Sequence, residues 1–439
     1  MKFALVVTLT LLGLAFSNQI SAERVKYDNY KVYRFIPQTE EERQVLIQLQ
    51  ESNLGVKFWK GVKSVGQPVD VMVPPHVQMD LLPAMTRREN MGVSVFVEDV
   101  QKLIDQEALT ILKEGRALDW TSYGTLADIY EFLDAQAAAH SDIAEVISIG
   151  TSFEGRDLKV LSISKSGNTK PAIWYDATIH AREWISGATC TYIVNELLNS
   201  ADPAIVQLTV DFDWKIMCVA NPDGYVYTHT TDRMWRKTRS NTTSPLGCKG
   251  ADPNRNWGYQ FNTGGSSGLP CDDTYHGTTA FSQVETKAMS DYFNTIADRA
   301  VFFLSVHSYS QFILLPYGYS NTRYPDYNEY MRIGNAAKAA IARRYNTQFT
   351  VGNIVDLLYP ASGGSVDWAK GIHDTSLVLA FELRDTGRYG FILPADQIIP
   401  SSLEFLDALL EMVAQLRDRI EAKQQPRSAS AELLMPKKA

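Results

Sequence analysis

Residues 172–183 read Ala-Ile-Trp-Tyr-Asp-Ala-Thr-Ile-His-Ala-Arg-Glu. The part up to Ile179 is a strand-like apolar run that lacks the polar alternation of a half-exposed strand. Such a run belongs to a strand covered on both faces. His180 and Glu183 follow it at once, three positions apart, so that one turn of chain offers both to one metal ion. Zinc accepts imidazole nitrogen and carboxylate oxygen, and a catalytic zinc takes three protein ligands and a water. An H-x-x-E pair by itself is a weak signal, since most such pairs are solvated surface groups. Of the seven histidines, however, only His180 has Glu three positions on. His229 has Asp there, but in a polar stretch without an apolar lead-in.

Outward from this stretch, further apolar runs at 158–163, 214–220, 301–306 and 377–381 read as buried strands. Helical periodicity covers 125–139, 185–198, 283–296, 327–343 and 395–420. Buried strands interleaved with amphipathic helices predict an α/β sheet with helices on both faces. Two residues then stand out. His307 ends the run 301–306, and Glu382 ends the run 377–381. With His180, they make three titratable groups at points where buried strands stop, and open α/β sheets place their sites at that edge. His307 is the candidate third ligand. Glu382 is the candidate general base, since a carboxylate beside a metal-acidified water can take its proton. The developing oxyanion needs a cation, for which Arg236, Arg239 and Arg255 are all candidates.

Residues 23 to about 100 read as a separate small α/β unit without a catalytic cluster. Strand-like stretches lie at 27–35, 69–73 and 93–97, and helical ones at 40–51 and 98–112. Lys113-Glu114-Gly115-Arg116 then forms a basic connection open to a trypsin-like protease. At the start of the chain, Lys2, the apolar core 3–16 and the small residues Ser17, Ser21 and Ala22 have the pattern of a secretory signal. That core is too short to span a bilayer. The tail after position 421 is polar and bears Pro and Ser. Fifty acidic residues against 42 basic give a net charge of −8. No basic face emerges, which argues against nucleic acid as a partner. Cys248 and Cys271 bracket a loop rich in Gly, Pro, Asn and Ser, as a disulfide would. Cys190 and Cys218 fall in apolar patterns and read as buried free thiols. Asn241 heads the one glycosylation sequon.

In combination, six motifs resemble the pancreatic-type zinc carboxypeptidases, the A/B procarboxypeptidase family. They are Ile-His-Ala-Arg-Glu-Trp at 179–184, Trp-Arg-Lys-Thr-Arg at 235–239, Asp-Pro-Asn-Arg-Asn-Trp at 252–257, Val-His-Ser-Tyr-Ser-Gln at 306–311, Tyr-Pro-Ala-Ser-Gly-Gly-Ser at 359–365 and Phe-Glu-Leu-Arg-Asp at 381–385. The likeness covers nearly all of 23–421. It implies a mixed central sheet with helices on both faces, preceded by a small α+β open-sandwich pro-domain. It implies residues 1–22 as signal peptide, 23–116 as pro-domain cut after Arg116, 117–421 as catalytic domain and 422–439 as tail. The product would be a secreted, monomeric peptide hydrolase that removes C-terminal residues.

By motif position, the resemblance makes His180, Glu183 and His307 the ligands of one Zn2+, with Asp252 orienting His180. Glu382 becomes the base and Arg239 the group that polarises the scissile carbonyl. Arg182 and Arg236 would line the groove, and Asn254 and Arg255 would clamp the substrate carboxylate. Tyr359 would close over the peptide, and Tyr309 and Phe391 would line subsites. Cys248 would pair with Cys271. Val366 would form the base of the pocket for the departing side chain, with Gly318, Ile354, Ala361 and Ala380 as walls. All are uncharged, which implies a preference for hydrophobic or aromatic C-termini. Asp356 and Asp367 are the nearest carboxylates able to alter that. A zinc-bearing but inactive peptide-binding protein and an amidohydrolase of N-acyl amino acids are the competing readings. The complete ligand, base and clamp set weighs against the first. The peptide-type loop 359–366 weighs against the second.

Overall fold

The computed structural model describes residues 24–424 apart from Asn53, Glu89 and 112–116. The signal at 1–22, the cut site at Arg116 and the tail beyond 424 lie outside the described residues.

Strands β1 (Lys31–Ile36), β2 (Lys57–Lys60), β3 (Val69–Val73) and β4 (Gly92–Val97) form an antiparallel sheet of order β2-β3-β1-β4. Its pleat divides the side chains by period 2. Tyr33, Phe35, Val69, Val71 and Val73 pack with Leu46 and Leu49 of the helix Glu40–Gln50 and with Val77, Leu81 and Met85 of the helix Pro75–Thr86. The helix Glu40–Gln50 starts at a capping box between Thr39 and Glu42, which satisfies backbone donors at both positions. The intervening positions Val32 and Met72, with Trp59 and Val97, join Met234, Tyr309, Phe391 and Ile392 in a shared apolar cluster. The small sheet therefore lays its second face on the larger unit.

The larger unit holds β5 (Ala144–Thr151), β6 (Asp157–Ile163), β7 (Ala172–Ala177), β8 (Asp213–Met217), β9 (Ala300–His307), β10 (Phe312–Leu315), β11 (Thr350–Asn353) and β12 (Leu377–Glu382). They make one eight-stranded mixed sheet of order β11-β10-β12-β9-β7-β8-β6-β5. The middle strands β12, β9, β7 and β8 run parallel. All six residues of β7 are buried, the carboxylate Asp176 among them. Helices flank the sheet, among them Leu126–Ala139, Trp184–Asn199, Tyr327–Tyr345 and Ile398–Gln424. The last of these runs past the point where the sequence pattern places the start of the polar tail.

The cysteines need one correction. Cys248 and Cys271 are bonded, with Cα atoms 5.1 Å apart. Cys190 and Cys218, read as free thiols, also form a disulfide, with Cα atoms 5.4 Å apart. Cys190 lies on the helix Trp184–Asn199, and Cys218 directly follows β8. The helix packs over the sheet and brings the two sulfurs together, a juxtaposition their separate apolar contexts do not reveal.

Candidate active site

Because β7, β9 and β12 are parallel neighbours, their C-terminal ends lie side by side. His307, last in β9, stands opposite Glu382, last in β12. His180 follows β7 by three residues. Glu183 occupies the N-cap of the helix Trp184–Asn199, yet its side chain makes no cap hydrogen bond. It is turned to the imidazoles instead. Glu183 Oε1 lies 2.8 Å from His180 Nδ1, Glu183 Oε2 lies 3.2 Å from His307 Nδ1, and the two Nδ1 atoms are 3.1 Å apart. Two imidazole nitrogens at that distance cannot both carry a proton. The donor atoms of the three residues all lie within 4.8 Å of one another, and this is the one such cluster among the described residues. Converging nitrogen and oxygen lone pairs fit a zinc ion.

Burial acts to raise the Glu183 pKa, but His180 and His307 overcome it and hold the carboxyl well below its usual range. Burial and the Arg236 guanidinium lower the His180 pKa, which favours the neutral imidazole a metal needs. His180 Nε2 faces Asp252 Oδ1 at 3.2 Å. Asp252 is itself fixed by Arg236, whose Nε and Nη2 donate to Oδ2 at 3.1 and 2.7 Å. It also caps the turn that carries Asn254 and Arg255. Glu382 differs from the rest. Its Oε2 is buried without a hydrogen-bond partner. Burial and the nearby Glu183 push its pKa up to about 8, and a divalent cation at the ligands acts in the opposite sense.

One cavity joins these groups to the expected pocket. His180, Glu183, His307, Glu382, Arg236, Asn254, Arg255, Tyr309, Tyr359 and Phe391 line it, as do the uncharged Gly318, Ile354, Ala361, Val366 and Ala380. Val366 lies in the first turn of the helix Ser365–His373, not in a loop. Asn254 Oδ1 accepts from Ser365 N at 2.9 Å, tying the 253–255 turn to that helix. Gly363 allows the approach. Its φ is +69°, and a Cβ there would stand 2.4 Å from the Arg255 carbonyl oxygen. Of the two carboxylates near the pocket, Asp356 pairs with Arg323 at the surface. Asp367 lines the cavity, but its oxygens accept from Gly318 N and Tyr319 N at 2.8–3.0 Å. Burial pushes its pKa up to about 7.

Two arginines stand elsewhere. Arg239 does not line the cavity; its guanidinium stacks on Tyr227 at 3.6 Å and Trp235 at 4.5 Å, and its Nε faces Glu154 at 3.7 Å. Arg236, three residues earlier, reaches the site, with Nη1 3.9 Å from Glu183. Arg182 is buried behind the lining. It binds the Met234 carbonyl and Asp273 and stacks on Phe391 at 4.2 Å.

Sequence reasoning also missed the groups that the small N-terminal unit sends into the cleft. Trp59 and Lys60 line the same cavity. Trp59 meets Phe391 and Tyr309 edge-on at 5.4 and 6.4 Å. Asp70 is fully buried, receives two bonds from Arg34 and a third from the Tyr309 hydroxyl at 3.0 Å. Tyr359 packs so closely on Gly61 that a Cβ at that glycine would stand 3.1 Å from its ring. The alternation of β3 puts Asp70 opposite Val69 and Val71, and that was the one available signal.

The profile of the zinc carboxypeptidase family matches residues 129–408, and that of the carboxypeptidase activation peptide matches 33–107. Zinc carboxypeptidase A 1 of Drosophila melanogaster is 39% identical over 419 residues, covering 93% of this chain and 96% of that protein. Carboxypeptidase A2 of Rattus norvegicus is 40% identical over 396 residues, covering 88% of this chain and 94% of that protein. Among solved structures, carboxypeptidase A from Helicoverpa armigera aligns with a TM-score of 0.82 at 26% identity, over 90% of this chain and 99% of that one. Thrombin activatable fibrinolysis inhibitor aligns equally well, with a TM-score of 0.82 at 32% identity, over 89% of this chain and 100% of that one. The chain belongs to the zinc carboxypeptidase family and carries that family's activation peptide ahead of the catalytic unit.

Proposed function

We propose that this chain is a secreted, monomeric precursor, cut after Arg116 by a trypsin-like protease, that then removes hydrophobic or aromatic residues from peptide C-termini. Residues 1–22 are the signal peptide, 23–116 the inhibitory pro-domain, 117–421 the catalytic domain and 422–439 the tail. Two disulfides favour an oxidising compartment.

The reading of specificity rests on one observation. The uncharged Gly318, Ile354, Ala361, Val366 and Ala380 line the cavity, and Asp367, which lines it beside Gly318, is engaged by backbone amides. A buried cation needs a free anion, so Lys and Arg side chains find no partner. Arg255 and Asn254, which line the same cavity, grip the C-terminal carboxylate. His180, Glu183 and His307 would hold the zinc, which when bound would supply the charge to acidify a water and polarise the scissile carbonyl. Glu382 takes the proton of the attacking water and returns it to the departing amine. Arg236, rather than Arg239, faces the developing oxyanion. Tyr359 covers the substrate, and Tyr309, Phe391 and, through Phe391, Arg182 shape the groove beyond.

The experiment is trypsin treatment of the pure precursor, followed by blocked dipeptides ending in Phe, Leu or Arg and by the Phe amide. Phe and Leu should leave at least ~10-fold faster than Arg, on the scale of burying such side chains. The amide should resist. Val366→Asp should erase the preference. Faster release of Arg would refute the assignment and make Asp367 the anion of the pocket.

A further inference from the structure

Asp176 of β7 and Ser305 of β9 are register partners in neighbouring parallel strands, and both are fully buried. Ser305 precedes His307 by two residues, so the two share a face of the sheet. His307 turns Nδ1 toward Glu183 and His180, which leaves Nε2 on the far side of the ring. There it meets Ser305 Oγ at 3.1 Å. Ser305 Oγ in turn lies 2.7 Å from Asp176 Oδ1, and Asp176 Oδ2 accepts from Trp174 Nε1 at 2.8 Å.

The direction of these bonds is determined by what each group can do. An ionised carboxylate only accepts, so the Ser305 hydroxyl donates to Asp176. The Ser305 oxygen then has lone pairs left for the Nε2–H of His307. With its proton on Nε2, the imidazole keeps Nδ1 bare, the form that binds a metal. Among the described residues, no lysine or arginine pairs with Asp176. Burying such a carboxylate is costly, so its effect is to be sought in the ligand rather than in the fold.

We infer that Asp176, acting through the Ser305 hydroxyl, is a positioning residue for the zinc ligand His307. It fixes the ring's tautomer and orientation, as Asp252 does directly for His180. The two imidazoles are thus held by different devices, one carboxylate in contact and one at a hydroxyl's remove.

The test is the zinc dissociation constant of the activated enzyme, measured by competition with a chelator, for Ser305→Ala, Asp176→Asn, the double variant, and Ser305→Thr. Each single change should weaken zinc binding about 10- to 100-fold. The double variant should be no weaker than the worse single, because both break one chain of bonds. Ser305→Thr, which keeps the hydroxyl, should recover most of the loss. Trp174→Phe removes the other bond to Asp176 and should leave zinc affinity within a few-fold. A merely structural role predicts a lower melting temperature of the zinc-free protein with zinc affinity unchanged. That result in Ser305→Ala, or additive losses in the double variant, would overturn the inference. Should a variant fail to fold, the imidazole 1H–15N spectrum of the unaltered zinc-free protein, at a pH where His307 is neutral, decides. His307 should be protonated at Nε2, and a proton at Nδ1 would overturn the proposal.

Discussion

Glu107 of the N-terminal unit is buried against Arg233 of the catalytic unit, with Arg233 Nε and Nη2 donating to its two oxygens at 2.5 and 2.8 Å. The same guanidinium donates to the carbonyls of Arg182 and Phe391 and lies 3.8 Å over Trp184. Removing one member of a buried pair strands the other, at a cost of about 3–5 kcal/mol. Glu107→Ala, in a precursor whose basic connection carries both Lys113→Gln and Arg116→Gln, should therefore loosen the pro-segment. Its uncut activity on a blocked dipeptide should rise at least ~10-fold over that of the same precursor with Glu107 intact, well inside that energy. Equal silence of the two precursors would show that the pair is not a latch.

The two arginines of the 235–239 motif should behave oppositely. Arg236→Ala should lower kcat at saturating zinc by about 10²- to 10³-fold, the usual loss for one oxyanion donor. Arg239→Ala, whose guanidinium rests on Tyr227 and Trp235, should stay within a few-fold of the parent. A large loss on the Arg239 side alone would reverse the assignment.

Glu382→Gln keeps the volume of the side chain and loses its proton acceptor. Turnover should drop by at least ~10²-fold, while metal analysis still finds one zinc per chain. A variant that turns over at the normal rate removes Glu382 from the mechanism.

His229 offers a pH signature. It stacks on Trp184 with ring centroids 4.0 Å apart, and its Nε2 is buried without a partner. Burial, helped by the charges of Arg233 and Arg24, depresses its pKa from 6.5 to about 3. The folded precursor thus keeps it neutral where the unfolded chain takes up a proton. Stability should be full above pH 6.5 and fall as the pH drops toward 3, by at most about 1.4 kcal/mol per unit. Glu107, raised by its own burial against the opposing charge of Arg233, works in the reverse sense. The informative quantity is therefore the difference between the parent and His229→Phe in denaturant melts from pH 7 to 4. A constant difference across that range would refute the reading.

The metal-binding histidines, and the carboxylate proposed as base, were legible in the sequence for a physical reason. Strands buried on both faces are largely apolar runs, and the titratable groups where they stop, His180, His307 and Glu382, stand out at their ends. The short outer strands β10 and β11, four residues each, and the more polar β5 carry no such signature and were missed. Arg236 and Arg239 sit in an irregular segment, where spacing does not reveal which of them Asp252 draws inward. The Cys190–Cys218 bond escaped notice because helix-on-sheet packing, not local pattern, creates it. Glu107 and Arg233 are 126 positions apart, and no local pattern could have linked them.

Trp59 is the one tryptophan ahead of position 120, and Tyr309 and Phe391 shield it with only 7% of its surface exposed. The protein therefore carries its own optical reporter. When the pro-segment departs, that indole passes from an apolar cage into water, and its emission should move to longer wavelength. Unmasking of the cleft can then be timed without any substrate, separately from the cut itself. A Trp59→Phe precursor should be cleaved at the same bond while that part of the spectral change disappears.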